Sequence, residues 1–296
     1  AAHTGGSLEV IAPVPWFPAI GGFGTWSALG RVPTSEDQDG VRVHHPRYLH
    51  IPKVGTVTYP ALMAAGSMGV VERLHAERPF DLVDGHYLFH DGVAGVLVAE
   101  RLGIPFVLSA RGSDALVLPA SRIVRAALPR ALDGAARLVA VSAELADKLV
   151  ELGADESKVR VVPNGVDRTQ FSPGDRIAAR HDLGLDEQGP LVVSVGRLHR
   201  QKGHDRVLRA LSLVRNVHPH LRWIVVGEGA ERSALEAEAR REGVADMVDF
   251  VGNRPHEALC SWYRAADLHV LPSRWEGHPN VLCEAIACGL PSVAAP

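Results

Sequence analysis

Short apolar, β-branched runs alternate with stretches of helical period along most of this 296-residue chain, and they do so in two separate series. A run of Val, Ile and Leu with no polar face predicts a strand buried on both sides. A helical segment between two such runs supplies the crossover that parallel strands need. The first series has runs at Leu8–Val14, Phe80–Val83, Pro105–Ser109, Arg137–Val141 and Val159–Val162, with helical segments at Gly92–Leu102, Ser121–Ala136 and Ala143–Leu152. The second has runs at Leu191–Val195, Leu221–Val226, Val248–Val251, Leu268–Leu271 and Pro291–Ala294, separated by helical segments at Asp205–Val217, Arg232–Glu242, His256–Ala265 and Val281–Ala287. The expected fold class is α/β, two doubly wound parallel sheets. Pro163-Asn164-Gly165, Ser172-Pro173-Gly174 and Gly189-Pro190 are turn and linker chemistry between the two series. The expected domains are therefore 1–168 and 190–296, joined by a linker at 169–189. Residues 15–60, rich in Gly, Pro and His, read as an irregular excursion with one short strand at Val41–His44.

Composition narrows the function. The chain is 46% hydrophobic, yet no apolar run approaches the roughly 20 residues that span a bilayer, so no transmembrane segment is expected. A formal charge of −3 gives no electrostatic footprint for extended nucleic-acid binding. The three cysteines, Cys260, Cys283 and Cys288, have no metal-ligand or disulfide spacing and read as buried small side chains in a reducing compartment. Ala1–Ser7 lacks the layout of a signal peptide, and the expected location is cytoplasmic.

The chemistry-bearing residues follow the strands. After Leu191–Val195 comes Gly196-Arg197-Leu198-His199-Arg200-Gln201-Lys202-Gly203, where glycine lets the backbone turn and two cations sit at the carboxyl end of a parallel sheet. Such a loop suits a pyrophosphate. Basic loop residues are ordinarily just solvated; the G-R-L-x₃-K-G spacing directly after a buried strand is what points further. Gly227-Glu228-Gly229-Ala230-Glu231-Arg232 is a strand-to-helix turn whose glycines leave room for a nucleotide, but Arg232 occupies the third glycine position of a dinucleotide fingerprint. Glu276 and Glu284 flank the start of a helix near Asn280, whose free N–H groups and dipole favour an anion while the carboxylates accept from sugar hydroxyls. In the first series, His86 and Asp91 lie just past one strand, and Arg111 and Asp114 just past the next, offering a cation and an exposed carboxylate on that edge.

Other motifs lead nowhere. Asp37-Gln38-Asp39 has the D-x-D form of a cation site but reads as a solvated polar loop with no strand leading into it. His256-Glu257 has Cys260 where a zinc protease needs a second histidine, and His44-His45 has no carboxylate at helical spacing. No metal site is expected.

Taken together, G-R-L-H-R-Q-K-G at 196–203, V-P-N-G-V-D at 162–167, V-G-E-G at 226–229 and P-S-R-W-E-G-H-P-N-V-L-C-E-A-I-A-C-G-L-P at 272–291 resemble the retaining glycosyltransferases of family four. The resemblance covers nearly the whole chain and implies a GT-B fold, two Rossmann-like domains facing each other across a cleft. D-G-H-Y-L-F-H-D-G-V-A at 84–94, L-G-I-P at 102–105 and A-R-G-S-D at 110–114 are similar to a bacterial branch associated with cell-surface polysaccharides such as teichuronic acid.

Carried over residue by residue, the resemblance implies that Arg197 and Lys202 grip a donor diphosphate. Glu284 would bind ribose hydroxyls and Glu276 hydroxyls of the transferred sugar, with His86 beside the reacting centre. Backbone at Asn280, Val281 and Leu282 would support the phosphates and backbone near Val251 the base, with Gly227 and Gly229 close by. Asp91, Arg111 and Asp114 would fall on the acceptor side. The implied donor is a nucleoside diphosphate sugar, with no further cofactor and no metal. The implied acceptor is a sugar or lipid-linked hydroxyl, with peripheral contact at the inner surface of the membrane.

Two departures stand out. Many members read E-G-F-G-L where this chain has Glu276-Gly277-His278-Pro279-Asn280, and Pro279 removes one N–H donor. The chain also opens at what resembles the second strand and stops before the family's closing helices, so it reads as truncated at both ends. Two rivals follow: a non-catalytic nucleotide-binding remnant, and a nicotinamide-dependent oxidoreductase on the same units, whose glycine fingerprint is broken here.

Overall fold

A computed structural model describes residues 6–16, 29–50, 58–186 and 188–295. They form two units, 1–163 and 164–296. In the first unit the strands are β1 (Glu9–Ile11), β2 (Val14–Trp16), β3 (Ser35–Gln38), β4 (Val41–His44), β5 (Arg47–Leu49), β6 (Val83–His86), β7 (Phe106–Ala110), β8 (Arg137–Ala140) and β9 (Val159–Val161). The last four make a parallel sheet in the order β6-β7-β8-β9. Helices Val93–Leu102, Arg122–Gly134 and Ala143–Glu151 connect them. Leu88, Leu108, Leu138 and Leu145 are fully enclosed in this sheet's core.

The amino-terminal part is more regular than the sequence suggested. The run Leu8–Val14 splits into β1, parallel to β4, and β2, parallel to β5. Pro13, which has no N–H for a ladder, stands at the break. Residues 35–49 hold three strands where one was expected. β3 and β4 form an antiparallel hairpin around Asp39-Gly40, both with positive φ (53° and 81°). That is the two-residue turn an Asp-Gly pair favours, so Asp37-Gln38-Asp39 lies in a strand and its turn, not in an irregular loop. The helix Tyr59–Glu77 was not expected; Met63, Ser67, Val71 and Leu74 form its buried stripe, and Pro60 starts it.

In the second unit, β10 (Leu191–Val195), β11 (Arg222–Val226), β12 (Val248–Gly252), β13 (Leu268–Leu271) and β14 (Ser292–Ala294) make one parallel sheet in the order β12-β11-β10-β13-β14. Alternation divides the side chains cleanly. Leu191, Val193, Val195, Ile224 and Val226 enter the core under helices Leu259–Ala265 and Asn280–Ala287, while Val192, Trp223 and Val225 enter the core under His204–Val214 and Arg232–Arg241. Burial on both faces is why these strands read as unbroken apolar runs.

The stretch expected as a linker belongs to this unit. Phe171 is buried in its core, and the helix Arg176–Asp182 places Arg180 under the sheet. The Arg180 guanidinium donates to the Ala265 carbonyl at 2.9 Å and to Asp267 Oδ2 at 2.7 Å. A buried guanidinium with several acceptors ties the segment down, an arrangement that turn-rich composition cannot reveal.

Candidate functional site

The strand order reverses direction between β10 and β13, and in open α/β sheets the crevice beyond the carboxyl ends at such a point is where ligands sit. Two loops leave the sheet there. The loop after β10 carries Arg197 and Lys202; the loop after β13 carries Glu276. Lys202 Nζ donates to Glu276 Oε1 at 2.5 Å, and Ser273 Oγ donates to the same oxygen at 2.7 Å. Both charged side chains are about four-fifths buried, at 19% and 20% exposure. Arg197 is exposed, with the neighbouring Leu198 as the fully buried anchor of its loop.

The glycines of the next loop are explained by close approach. A β-carbon on Gly227 would fall 2.0 Å from the Gly196 carbonyl oxygen, and one on Gly229 would fall 2.3 Å from that of Leu198. Gly227 also has φ of +143°, which favours glycine. The space a side chain would take at these two positions is filled by the backbone of the Arg197 loop. Gly227 and Gly229 thus set the position of that loop. Val251 lies half-buried at the end of β12, where Gly227 N–H donates to the Gly252 carbonyl at 2.9 Å.

Glu284 sits in the helix Asn280–Ala287 and is only 6% exposed. Its two oxygens have separate partners: the Tyr263 hydroxyl donates to Oε2 at 2.9 Å, and His256 Nε2 lies 3.0 Å from Oε1. Burial, and then the nearby Glu284 carboxylate, push the Tyr263 hydroxyl well above its ordinary pKa, so it stays a donor. Pro279 is the N-cap, and the side chain of Asn280 accepts from Asn164 Nδ2 at 2.9 Å. Asn280 and Val281 open the helix, where N–H groups have no partner four residues back; Leu282 N–H bonds to the Pro279 carbonyl at 3.0 Å.

In the first unit the expected residues gather at the carboxyl ends of β6 and β7. His86 Nε2 lies 3.3 Å from Asp84 Oδ2, and Arg111 Nε donates to His86 Nδ1 at 3.1 Å. The imidazole therefore bridges a carboxylate and a guanidinium, with its proton on Nε2. Burial raises the Asp91 carboxyl pKa, opposed by its own backbone hydrogen bond and reinforced by Asp114. Asp114 corrects an expectation: it is fully buried, not exposed. Its carboxylate accepts from the backbone N–H groups of Gly112 at 2.7 Å, Arg111 at 3.0 Å and Leu88 at 3.0 Å. Three N–H donors satisfy the charge and shape the turn, so Asp114 holds its loop in place.

Several contributors were not anticipated. Tyr263, Ser273 and His256 reach the two glutamates only through the fold; in the sequence His256 stands out only as half of a zinc motif. His44 and His45, without a carboxylate at helical spacing, meet Glu9 at 2.8 Å and Glu36 at 3.1 Å from neighbouring strands. Among the described residues no group of three or more His, Cys, Asp or Glu side chains is arranged to hold a metal ion. No described helix is long and apolar enough to cross a membrane.

Comparison with known proteins bears on the family and the fold. Residues 28–170 match the family "Glycosyltransferase Family 4", and residues 175–296 match "Glycosyl transferases group 1". A D-inositol 3-phosphate glycosyltransferase of Segniliparus rotundus is 38% identical over 279 residues, covering 89% of this chain and 62% of that protein. D-inositol 3-phosphate glycosyltransferase 2 of Catenulispora acidiphila is 35% identical over 294 residues, covering 92% of this chain and 68% of that protein. The chain thus spans about two thirds of the length of these curated relatives. Among solved structures, a sucrose-phosphate synthase from Thermosynechococcus elongatus superposes with a TM-score of 0.75 at 23% identity, over 89% of this chain and 68% of that one. Anabaena HepE, solved with UDP and glucose, gives 0.68 at 23% identity, over 96% and 72%. With both halves matched and 92% of this chain aligned to the Catenulispora relative, this chain belongs to the GT-B glycosyltransferases of the group 1, family 4 type.

Proposed function

We propose that this chain moves a sugar from a nucleoside diphosphate sugar to a hydroxyl acceptor with retention of configuration and without a metal. The observation that carries the reading is the meeting of Lys202 and Glu276 at the switch point of the second sheet, a cation for phosphate beside a carboxylate for sugar hydroxyls. Departure of the nucleoside diphosphate builds negative charge. Arg197, Lys202 and the first N–H groups of the Asn280 helix stabilise that charge, as preorganised donors do in a site shielded from water. Glu276 orients the sugar. Glu284, already held by Tyr263 and His256, takes the ribose hydroxyls, and the backbone near Val251 takes the base. In front-face attack, the acceptor oxygen enters on the side from which the diphosphate leaves, and no protein nucleophile is used. His86, with Asp91 and Arg111, serves the acceptor side, and Asp114 fixes the loop that carries Arg111.

The names of the curated relatives favour an inositol phosphate as acceptor over a growing cell-surface polysaccharide of the teichuronic type. UDP-glucose is the first donor to try, since the Anabaena neighbour was solved with it. The test is a thermal-shift and transfer screen of UDP-, GDP- and ADP-sugars with inositol 3-phosphate and with oligosaccharide acceptors. A selective donor together with transfer to one acceptor class supports the reading; absence of any nucleotide-dependent stabilisation overturns it.

A further inference from the structure

We infer that Arg274, through its pairing with Asp205, is a positioning residue for the donor site: it keeps the loop carrying Glu276 in register with the loop carrying Lys202. The inference rests on the donor-site reading above and adds a residue to which that reading assigns no role. Lys202 and Glu276 are 74 residues apart and sit on separate loops, so something other than chain connectivity must set their approach. Arg274 supplies it. Its guanidinium makes a two-pronged pair with Asp205, Nη1 to Oδ1 at 3.0 Å and Nη2 to Oδ2 at 2.7 Å. Nη1 also donates to the Arg200 carbonyl at 2.7 Å, and the Arg274 backbone N–H donates to the Gln201 carbonyl at 2.8 Å. Gln201 answers with Nε2 to the Trp275 carbonyl at 3.1 Å.

These bonds bracket the two functional side chains. Arg200 and Gln201 immediately precede Lys202, and Trp275 immediately precedes Glu276. Asp205 lies in the first turn of the helix that follows Lys202, where a carboxylate also suits the helix dipole. Between them, Gly203 packs so tightly that a β-carbon would fall 2.1 Å from the Pro272 carbonyl oxygen. The Asp205 carboxyl is held below its usual range, first by its hydrogen bond to Arg274, so the pair stays charged at neutral pH. The side chains of Arg274 and Asp205 are 31% and 24% exposed, shielded enough for a planar fork to fix geometry. A lysine at 274 would keep the charge and lose the second prong and the carbonyl contact.

The test is a double-mutant cycle on affinity for the tightest binder among UDP-glucose, GDP-mannose and ADP-glucose, measured by calorimetry. The proteins are the unmodified chain, Arg274→Ala, Glu276→Ala and the double variant. Arg274→Ala should weaken binding roughly tenfold in the unmodified background and less than about twofold once Glu276 is gone, because coupled residues are non-additive. Arg274→Lys should recover only part of the loss. Equal losses in both backgrounds would mean that Arg274 acts only on general stability, and no loss would mean that it does not act; either overturns the inference. Should Arg274→Ala fail to fold, Asp205→Asn, which keeps volume and removes one partner, runs the same cycle against Glu276→Ala. If the unmodified chain binds none of the three nucleotide sugars, the donor-site reading fails, and the inference falls with it.

Discussion

Lys202 Nζ and Glu276 Oε1 lie 2.5 Å apart on the segments that follow two adjacent parallel strands, so the cation that would meet a diphosphate is already engaged by the carboxylate that would meet a sugar. On the proposed function, a diphosphate bound there would compete with Glu276 for Lys202. Filling the phosphate position would release the carboxylate for sugar hydroxyls and so couple the two halves of the proposed donor site.

That coupling fixes the sign of three substitutions. Lys202→Ala and Arg197→Ala should each weaken UDP binding by about 1.5–3 kcal/mol, the range for hydrogen bonds to charged groups. Glu276→Gln should instead tighten UDP alone, by freeing Lys202, while removing the preference for UDP-glucose over UDP. Calorimetry with both ligands checks all three. Unchanged UDP affinity in Lys202→Ala would remove the assignment.

Tyr263→Phe leaves the buried Glu284 carboxylate without one of its two donors. The expected cost is about 1–3 kcal/mol of stability, read from urea unfolding, together with weaker nucleotide binding. A variant as stable as the unmodified chain would show that Glu284 finds another donor.

His204 and His269 are buried, and burial holds both at a pKa of about 4, against 6.5 when exposed. His204 Nδ1 and His269 Nε2 have no hydrogen-bond partner among the described residues. Between pH 6.5 and 4 the unfolded chain takes up protons at these positions that the folded chain refuses. Their contribution to stability is thus fully present above 6.5 and is lost as pH falls toward 4, each adding a slope of about 1.4 kcal/mol per pH unit. Unfolding free energies at several pH values, compared with His269→Gln, should show the slope reduced by roughly one proton's worth. Parallel curves would contradict this.

Turnover should survive excess EDTA, because Arg197, Lys202 and the helix N–H groups are assigned the charge that a metal carries in other transferases. Complete loss, restored by manganese or magnesium, would overturn that part of the mechanism.

Gly227→Ala should strongly destabilise the second unit and impair nucleotide binding, since the new methyl would lie 2.0 Å from the Gly196 carbonyl oxygen. Gly69→Ala is the contrasting case. Gly69 is helical, with nothing within 4 Å of the added carbon, and the change should stabilise by about 0.5–1 kcal/mol. Thermal unfolding of the two variants in parallel separates close packing from backbone entropy.

The strands of the second unit are legible in the amino-acid sequence. Leu191–Val195 and Leu268–Leu271 fall where their apolar runs end, because a strand buried on both faces writes itself into consecutive residues and its turns into glycine and proline. The loops bearing Arg197, Lys202 and Glu276, and the helix bearing Glu284, were legible too, as spacing after those strands. The helix Tyr59–Glu77 was missed because its stripe includes Ser67 and small residues, so its apolar period is faint. The burial of Asp114, the docking of 169–189 through Arg180, the partners of Glu284 and the Lys202–Glu276 approach were not legible at all. Each joins groups whose distance is set by strand order and loop packing. Residue type and local period determined which elements form and which loops carry charge. Only the tertiary structure, by placing β13 beside β10, decided which charges meet.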